Sequence, residues 1–222
     1  SSEWAFNSAK SKTWVQTPIH FVRYGSGFSV KNISNKDLIS LKSKSNAKLQ
    51  LLWIGLDPVR KGLNKSIRIV EKLNKSGIDS QLNVIGISGS NTENIKYFGK
   101  LAKNVEDDLE LFRNLMIKSD LFLFFTTADS TPMVIGEALS FGIPVLANNV
   151  GGISSLLNEQ CGKLFDIKSS DEEILNWIID YRFDALKKVQ MIKASIQFAQ
   201  EFLNWEKSID DVIEIIDSHR QN

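Results

Sequence analysis

The stretch LFLFFTTADSTPMVIGE, Leu121 to Glu137, decides how this chain folds. Its first five residues are apolar with no polar alternation, as expected of a strand covered by helices on both faces. Thr131 reads as an N-cap and Pro132 as the first residue of a helix, so a helix opens within a few residues of the strand's carboxyl end. Ligands of open α/β sheets bind at such ends. Pro132 has no N–H, whereas the amides of Met133 and Val134 lie ahead of the intrahelical ladder and can hold a phosphate oxygen.

Working outward, the unit repeats. Leu49 to Gly55 is a short apolar run ending in Gly, and Leu63, Ile67, Val70 and Leu73 then recur at helical spacing before Gly77. Leu82 to Gly86 is the next strand, which completes a parallel βαβ unit. A helix over Asp107 to Ser119, the strand from Leu121 to Thr126, a helix over Pro132 to Phe141 and a strand over Ile143 to Ala147 follow. The fold class is α/β: a Rossmann-like parallel sheet flanked by helices, with C-terminal helices over Glu172 to Tyr181, Ala185 to Phe202 and Trp205 to Ile216.

Three segments are expected. Residues 1–45 are rich in Ser, Asn and Lys and read as a linker region, with one short helix near Trp4 to Ala9 and one short strand over Ile19 to Tyr24. Residues 46–203 form the sheet domain, and the helix in 204–222 is free to dock elsewhere. The opening Ser1-Ser2-Glu3-Trp4 has neither an initiator Met nor an apolar signal segment, so the chain reads as a piece of a longer protein.

Composition excludes several classes. Twenty-seven Lys and Arg against 26 Asp and Glu leave a net charge of +1, which gives no overall field for nucleic acid. The single Cys161 cannot form an internal disulfide and fits a reducing compartment; with only His20 and His219 beside it, it leaves no metal cluster. Neither His has a Ser or Cys motif around it, which argues against a hydrolase triad. The uncharged stretch Ala138 to Asn158 holds Pro144, Asn148, Asn149, Gly151 and Gly152 and is not read as a membrane span.

Three loops at strand ends are site candidates. Gly55-Leu56-Asp57-Pro58-Val59-Arg60-Lys61-Gly62 places two cations at a helix entrance that itself carries about half a positive charge, which is unfavourable unless an anion neutralises them. Solvent-exposed, screened side chains are the plain alternative. Neither a dinucleotide fingerprint nor a P-loop is present. In the second loop Asp129 and Glu137 are eight positions apart, and both could flank one ligand. An acid before a helix start is also favoured by the dipole alone. Glu137 adjoins Gly136, whose place inside a helix costs about 1 kcal/mol and suggests close packing. Third, Asn148-Asn149-Val150-Gly151-Gly152 reaches the same edge, and a plain turn explains its Gly pair. The nine basic residues between Lys42 and Lys75 suit either an anion or a solvated face.

Together these residues resemble the carboxyl-terminal, donor-binding domain of the retaining GT-B glycosyltransferases (glycosyl transferases group 1, family 4-like), over nearly the whole chain. Leu52-Trp53-Ile54-Gly55 with Arg60-Lys61-Gly62 is similar to that group's first strand and basic loop. Asp129 to Glu137 is similar to its acid-x7-acid motif, and Ala138 to Val145 and Val150 to Ile153 to the segments after it. The resemblance implies that Arg60, Lys61 and the Met133 and Val134 amides hold a diphosphate, that Glu137 takes the ribose and Asp129 the sugar, and that Gly55, Ser130 and Thr131 line the donor site. It implies a UDP- or GDP-sugar as donor, no metal or other cofactor, and retention of configuration. The acceptor implied is a glycan or lipid-linked group bound by an amino-terminal domain absent here. It further implies a bacterial, cytoplasmic hexosyltransferase of polysaccharide assembly that works at the inner face of the membrane and whose isolated fragment does not turn over. Asp129 stands where Glu is usual, Pro132 where Gly is common and Leu56 where many members carry Arg, which shifts diphosphate contact toward Arg60 and Lys61. Two readings stay open beside this one: a sugar-nucleotide epimerase of related fold, and a binding module without chemistry. One pocket holding both Lys61 and Glu137 is expected.

Overall fold

The computed structural model describes residues 2–27, 33–43 and 47–220. Six strands form one parallel sheet: β1 (Leu49–Ile54), β2 (Ser80–Ile85), β3 (Ile95–Tyr97), β4 (Leu121–Phe124), β5 (Val145–Asn148) and β6 (Gly162–Phe165). Their order across the sheet is β3-β2-β1-β4-β5-β6. From β1 the chain winds outward to β2 and β3, then returns to pair β4 with β1 and winds the other way. The winding sense therefore reverses between β1 and β4, and the crevice beyond their carboxyl ends is where such sheets bind ligands.

The alternation of side chains along the strands separates two cores. Leu121, Leu123 and Phe125 pack with Leu51 and Trp53 against α3 (Leu63–Lys75) and α6 (Asp171–Phe183). Phe122 and Phe124 pack with Leu52 against α4 (Glu106–Lys118) and α5 (Met133–Ser140). The uninterrupted apolar run 121–125 is thus explained by burial on both faces.

The structure departs from the sequence expectations at four places. Strands β3 and β6 and helix α2 (Asn35–Ser43) were not foreseen. The expected strand at Ile19 to Tyr24 does not form; its backbone is tied instead to α8 (Trp205–Arg220), where Ser208 Oγ donates to the Arg23 carbonyl at 2.6 Å. Tyr24 stacks on Trp205 with ring centroids 5.9 Å apart, and His20 meets His219 edge to face at 4.9 Å. The short helix α1 (Glu3–Lys10) does form, capped by the Ser2 hydroxyl.

Helix α2 packs on α7 (Ala185–Phe202) and buries the amine of Lys42 at the end of α4. Lys42 Nζ donates to the carbonyls of Met116 at 3.0 Å and Ser119 at 2.7 Å. Beside it, Lys188 and Asp120 form a buried ion pair at 2.7 Å. Burial lowers the Lys42 pKa to about 7, against the raising field of Asp120 and with a smaller push from Lys188. A neutral amine still carries the two N–H groups that these two carbonyls need.

Candidate functional site

Two loops leave the sheet on either side of the switch point and are stitched to each other. The first, residues 55–62 after β1, is a tight turn in which Asp57 accepts from the Arg60 backbone N–H at 3.0 Å and Leu63 N–H donates to the Pro58 carbonyl at 2.9 Å. That backbone hydrogen bond, ahead of the Arg60 guanidinium, holds the Asp57 carboxyl below its ordinary range. The buried Trp53 donates its indole N–H to the Lys61 carbonyl at 3.0 Å, which fixes the backbone from which the Lys61 side chain rises. Gly55 has no side chain, and a Cβ there would come within 3.2 Å of Lys61 Cγ.

Gly62 ends the turn at φ +72°, in the left-handed region, and a Cβ there would lie 2.2 Å from the Phe125 carbonyl oxygen. Only glycine lets the first loop lie this close to the end of β4. The contact continues along the second loop: Thr127 N–H and Thr126 Oγ1 both donate to the Arg60 carbonyl, at 2.8 and 3.0 Å, and Arg60 Nη1 donates to the Ala128 carbonyl at 2.9 Å.

These ties bring the two candidate motifs together. Lys61 Nζ pairs with Asp129 Oδ2 and sits 4.7 Å above the Phe124 ring, while Arg60 Nη1 approaches the same carboxylate oxygen at 3.7 Å. The anion that the two cations require is therefore supplied from within the chain. The Asn149–Gly152 turn supports the arrangement from the far side. Gly152 N–H donates to the Asp129 carbonyl at 3.1 Å, and Cβ atoms on Gly151 or Gly152 would strike the Asp129 and Ser130 carbonyls at 2.0 and 1.9 Å. The turn reading of this Gly pair holds, and its purpose is to brace the Asp129 loop.

Helix α5 begins one residue later than expected. Pro132, not Thr131, occupies the N-cap position and makes no side-chain cap; Met133 and Val134 are the first two helical residues. The amides of interest stay at the helix entrance. Gly136 is where the linker and the end of α7 press on α5: a Cβ there would meet Leu203 at 3.3 Å and Ser26 at 3.5 Å.

Glu137 is buried at 4% exposure and does not touch Asp129's partners. Its Oε1 accepts from Lys103 Nζ at 2.5 Å, and its Oε2 is buried without a partner among the described residues. Lys103 follows β3, a strand that the sequence did not reveal, and nothing in its polar surroundings marks it as a site residue. The small cavity at this end is lined by Tyr24, Ser26, Thr131, Pro132, Met133 and Leu203, and neither it nor the other described cavities includes Lys61 or Glu137. The structure brings Lys61 to Asp129 and Lys103 to Glu137 as two separate ion pairs, and the single pocket expected to hold both Lys61 and Glu137 is not among the described cavities.

The wider basic run between Lys42 and Lys75 disperses. Lys48 pairs with Asp79, and Arg68 and Lys72 both pair with Asp171 at the entrance of α6. Among the described residues of that run, Arg60 and Lys61 lie in the loop at the switch point. Among the described residues no group of three or more His, Cys, Asp or Glu side chains could hold a metal ion, and no helix is long and apolar enough to cross a membrane.

A doubly wound parallel sheet whose charged loops meet at its switch point defines a Rossmann-like domain. The chain belongs to the glycosyl transferases group 1 family, whose sequence model matches residues 35–198. Its fold is that of one half of a GT-B enzyme. It is similar to WaaG, a glycosyltransferase involved in lipopolysaccharide biosynthesis, with a TM-score of 0.62 at 20% identity over 86% of this chain and 55% of that one. It is also similar to Anabaena Alr3699/HepE in complex with UDP and glucose, with a TM-score of 0.63 at 20% identity over 84% of this chain and 53% of that one. Sucrose-phosphate synthase from Thermosynechococcus elongatus gives a TM-score of 0.63 at 17% identity, over 84% of this chain and 48% of the synthase. The chain spans about half the length of these proteins. No curated protein sequence matches it.

Proposed function

We propose that this chain is the donor-binding half of a retaining hexosyltransferase, with residues 1–45 the end of the amino-terminal domain and the interdomain linker, 46–203 the donor domain and 204–222 a crossover helix. It binds a UDP- or GDP-sugar beyond the carboxyl ends of β1 and β4. Arg60, Lys61 and the Met133 and Val134 amides receive the diphosphate, Glu137 takes the ribose and Asp129 faces the sugar, with Gly55, Ser130 and Thr131 lining the site. The observation that carries this reading is the convergence of Lys61 and Arg60 on Asp129, in the loop that leads into α5 at the switch point. That HepE was solved with UDP and glucose supports a nucleotide-sugar donor for the family member described here.

In this reading the leaving diphosphate gathers negative charge as the sugar carbon becomes oxocarbenium-like, and preorganised cations and amides stabilise that charge without a metal. The Asp129 carboxylate positions Lys61 before the donor arrives; the diphosphate then shares the ammonium, while Asp129 turns toward the sugar. The acceptor, a glycan or lipid-linked group, is bound by an amino-terminal domain, in the cytoplasm at the inner face of the membrane.

The test is a mass balance of donor and acceptor with the full-length protein and UDP- and GDP-sugars. Glycosyl transfer with release of nucleoside diphosphate supports the reading. Conversion of the donor without an acceptor would make the protein an epimerase, and tight donor binding without turnover would make it a binding module.

A further inference from the structure

Glu137 is a charged side chain held almost wholly out of water, on the second turn of a helix whose other side is packed against the sheet. Burying a carboxylate is unfavourable unless a cation and hydrogen bonds compensate. Lys103 provides the cation, and Lys103 is itself steadied, its ammonium lying 4.9 Å from the centre of the Phe112 ring on α4. Its side chain is 41% exposed against 6% for Glu137, so the pair is built from the loop side inward. On the other flank the backbone of Gly27 comes so close that a Cβ there would lie 2.8 Å from Glu137 Oε1. One oxygen is thus held by an ammonium, close to the backbone of Gly27. The second, Oε2, is buried with no donor among the described residues, and buried polar atoms in folded proteins nearly always have a partner.

We propose that Lys103 is a positioning residue for nucleotide recognition: by clamping Oε1 it orients the Glu137 carboxylate toward a vicinal diol, so that the site selects ribonucleotides over 2′-deoxyribonucleotides. The proposal rests on the reading of Glu137 as the ribose-binding residue. A carboxylate accepts at both oxygens and each oxygen has two lone pairs, so Oε1 can keep Lys103 while taking one hydroxyl. The terminal torsion of Glu is broad, and a small rotation about it presents Oε2 to the neighbouring hydroxyl. Without Lys103 the same torsion is unrestrained, the buried charge has no counter-ion, and the diol loses its preorganised acceptor.

The experiment is calorimetric titration of the chain with UDP, GDP and their 2′-deoxy analogues, for wild type, Lys103→Met, Lys103→Arg and Glu137→Gln, with a thermal melt of each variant as a folding control. A hydrogen bond to a charged acceptor predicts that wild type prefers the ribonucleotide by about tenfold or more and that Glu137→Gln removes the preference. Lys103→Met is expected to reduce that preference to about twofold while leaving the 2′-deoxy affinity nearly unchanged, and Lys103→Arg to restore it. If Glu137→Gln removes the preference but Lys103→Met keeps it, positioning by Lys103 is overturned and the ribose reading survives. Tighter ribonucleotide binding by Lys103→Met would also overturn it, by making Lys103 a competitor for the carboxylate. Absence of any preference in wild type, or its survival in Glu137→Gln, would remove the ribose reading and this proposal with it.

Discussion

Lys61 and Asp129, 68 residues apart in the chain, form an ion pair across the point where the sheet reverses its winding. One comes from the loop after β1 and the other from the loop after β4. Neither helix entrance alone would hold its charge in place: the pair exists because Gly62 allows the two loops to touch.

If Lys61 stabilises the departing diphosphate, Lys61→Ala in the full-length enzyme lowers kcat by about a hundredfold or more, since removing one preorganised donor raises a barrier by about 3 to 4 kcal/mol. Steady-state transfer assays measure it, and wild-type turnover in this variant would take the residue out of the mechanism.

The closeness of the loops has a separate signature in stability. Gly62 and Gly77 both have positive φ, but a Cβ on Gly77 meets nothing within 4 Å, whereas on Gly62 it strikes the Phe125 carbonyl. Gly77→Ala should cost about 1 to 2 kcal/mol for the left-handed backbone alone, and Gly62→Ala about 2 kcal/mol more. Denaturant melts of the two variants give the difference directly.

Much of this is legible in the sequence. The run 121–125 announced a doubly covered strand, and the β1 and β4 loops with their charges could be read from spacing. What could not be read depends on partners distant in sequence. β3 is three residues, Ile95–Tyr97, in a polar stretch, and β6 contains Gly and Lys; each exists because a neighbouring strand offers a ladder. The segment Ile19 to Tyr24 has strand-like composition but no ladder to join, so α8 claims it instead. Lys103 stood in a lysine-bearing loop with no motif, and only folding across 34 residues showed its carboxylate.

The buried Lys42 makes stability depend on pH in a stated direction. Its folded pKa of about 7 lies below the ordinary 10.5, so between these values the unfolded chain binds more protons and stability rises with pH. Below about pH 7 the contribution is constant and unfavourable. The stability of wild type relative to Lys42→Met should therefore increase from pH 7 to pH 10, at a slope of at most about 1.4 kcal/mol per pH unit. Chemical denaturation at three pH values checks it; a flat difference would contradict the buried, largely neutral amine.

Cys161 is buried, and desolvation pushes its thiol up to about 11 despite hydrogen bonds at Asn158. At neutral pH its thiolate fraction is about a hundredfold below that of a thiol at 9, so iodoacetamide should label the native chain far more slowly than the denatured one. Fast labelling of the native chain would show that the β5–β6 connection opens readily.

The most direct test of the central claim compares UDP and GDP with their parent nucleosides in binding to this chain, for wild type and Lys61→Ala. If the paired cations and the first turn of α5 hold a diphosphate, at least one nucleoside diphosphate binds at least about tenfold more tightly than its nucleoside, and Lys61→Ala erases most of that gain. Equal affinity for diphosphate and nucleoside, or a gain untouched by Lys61→Ala, would contradict the account.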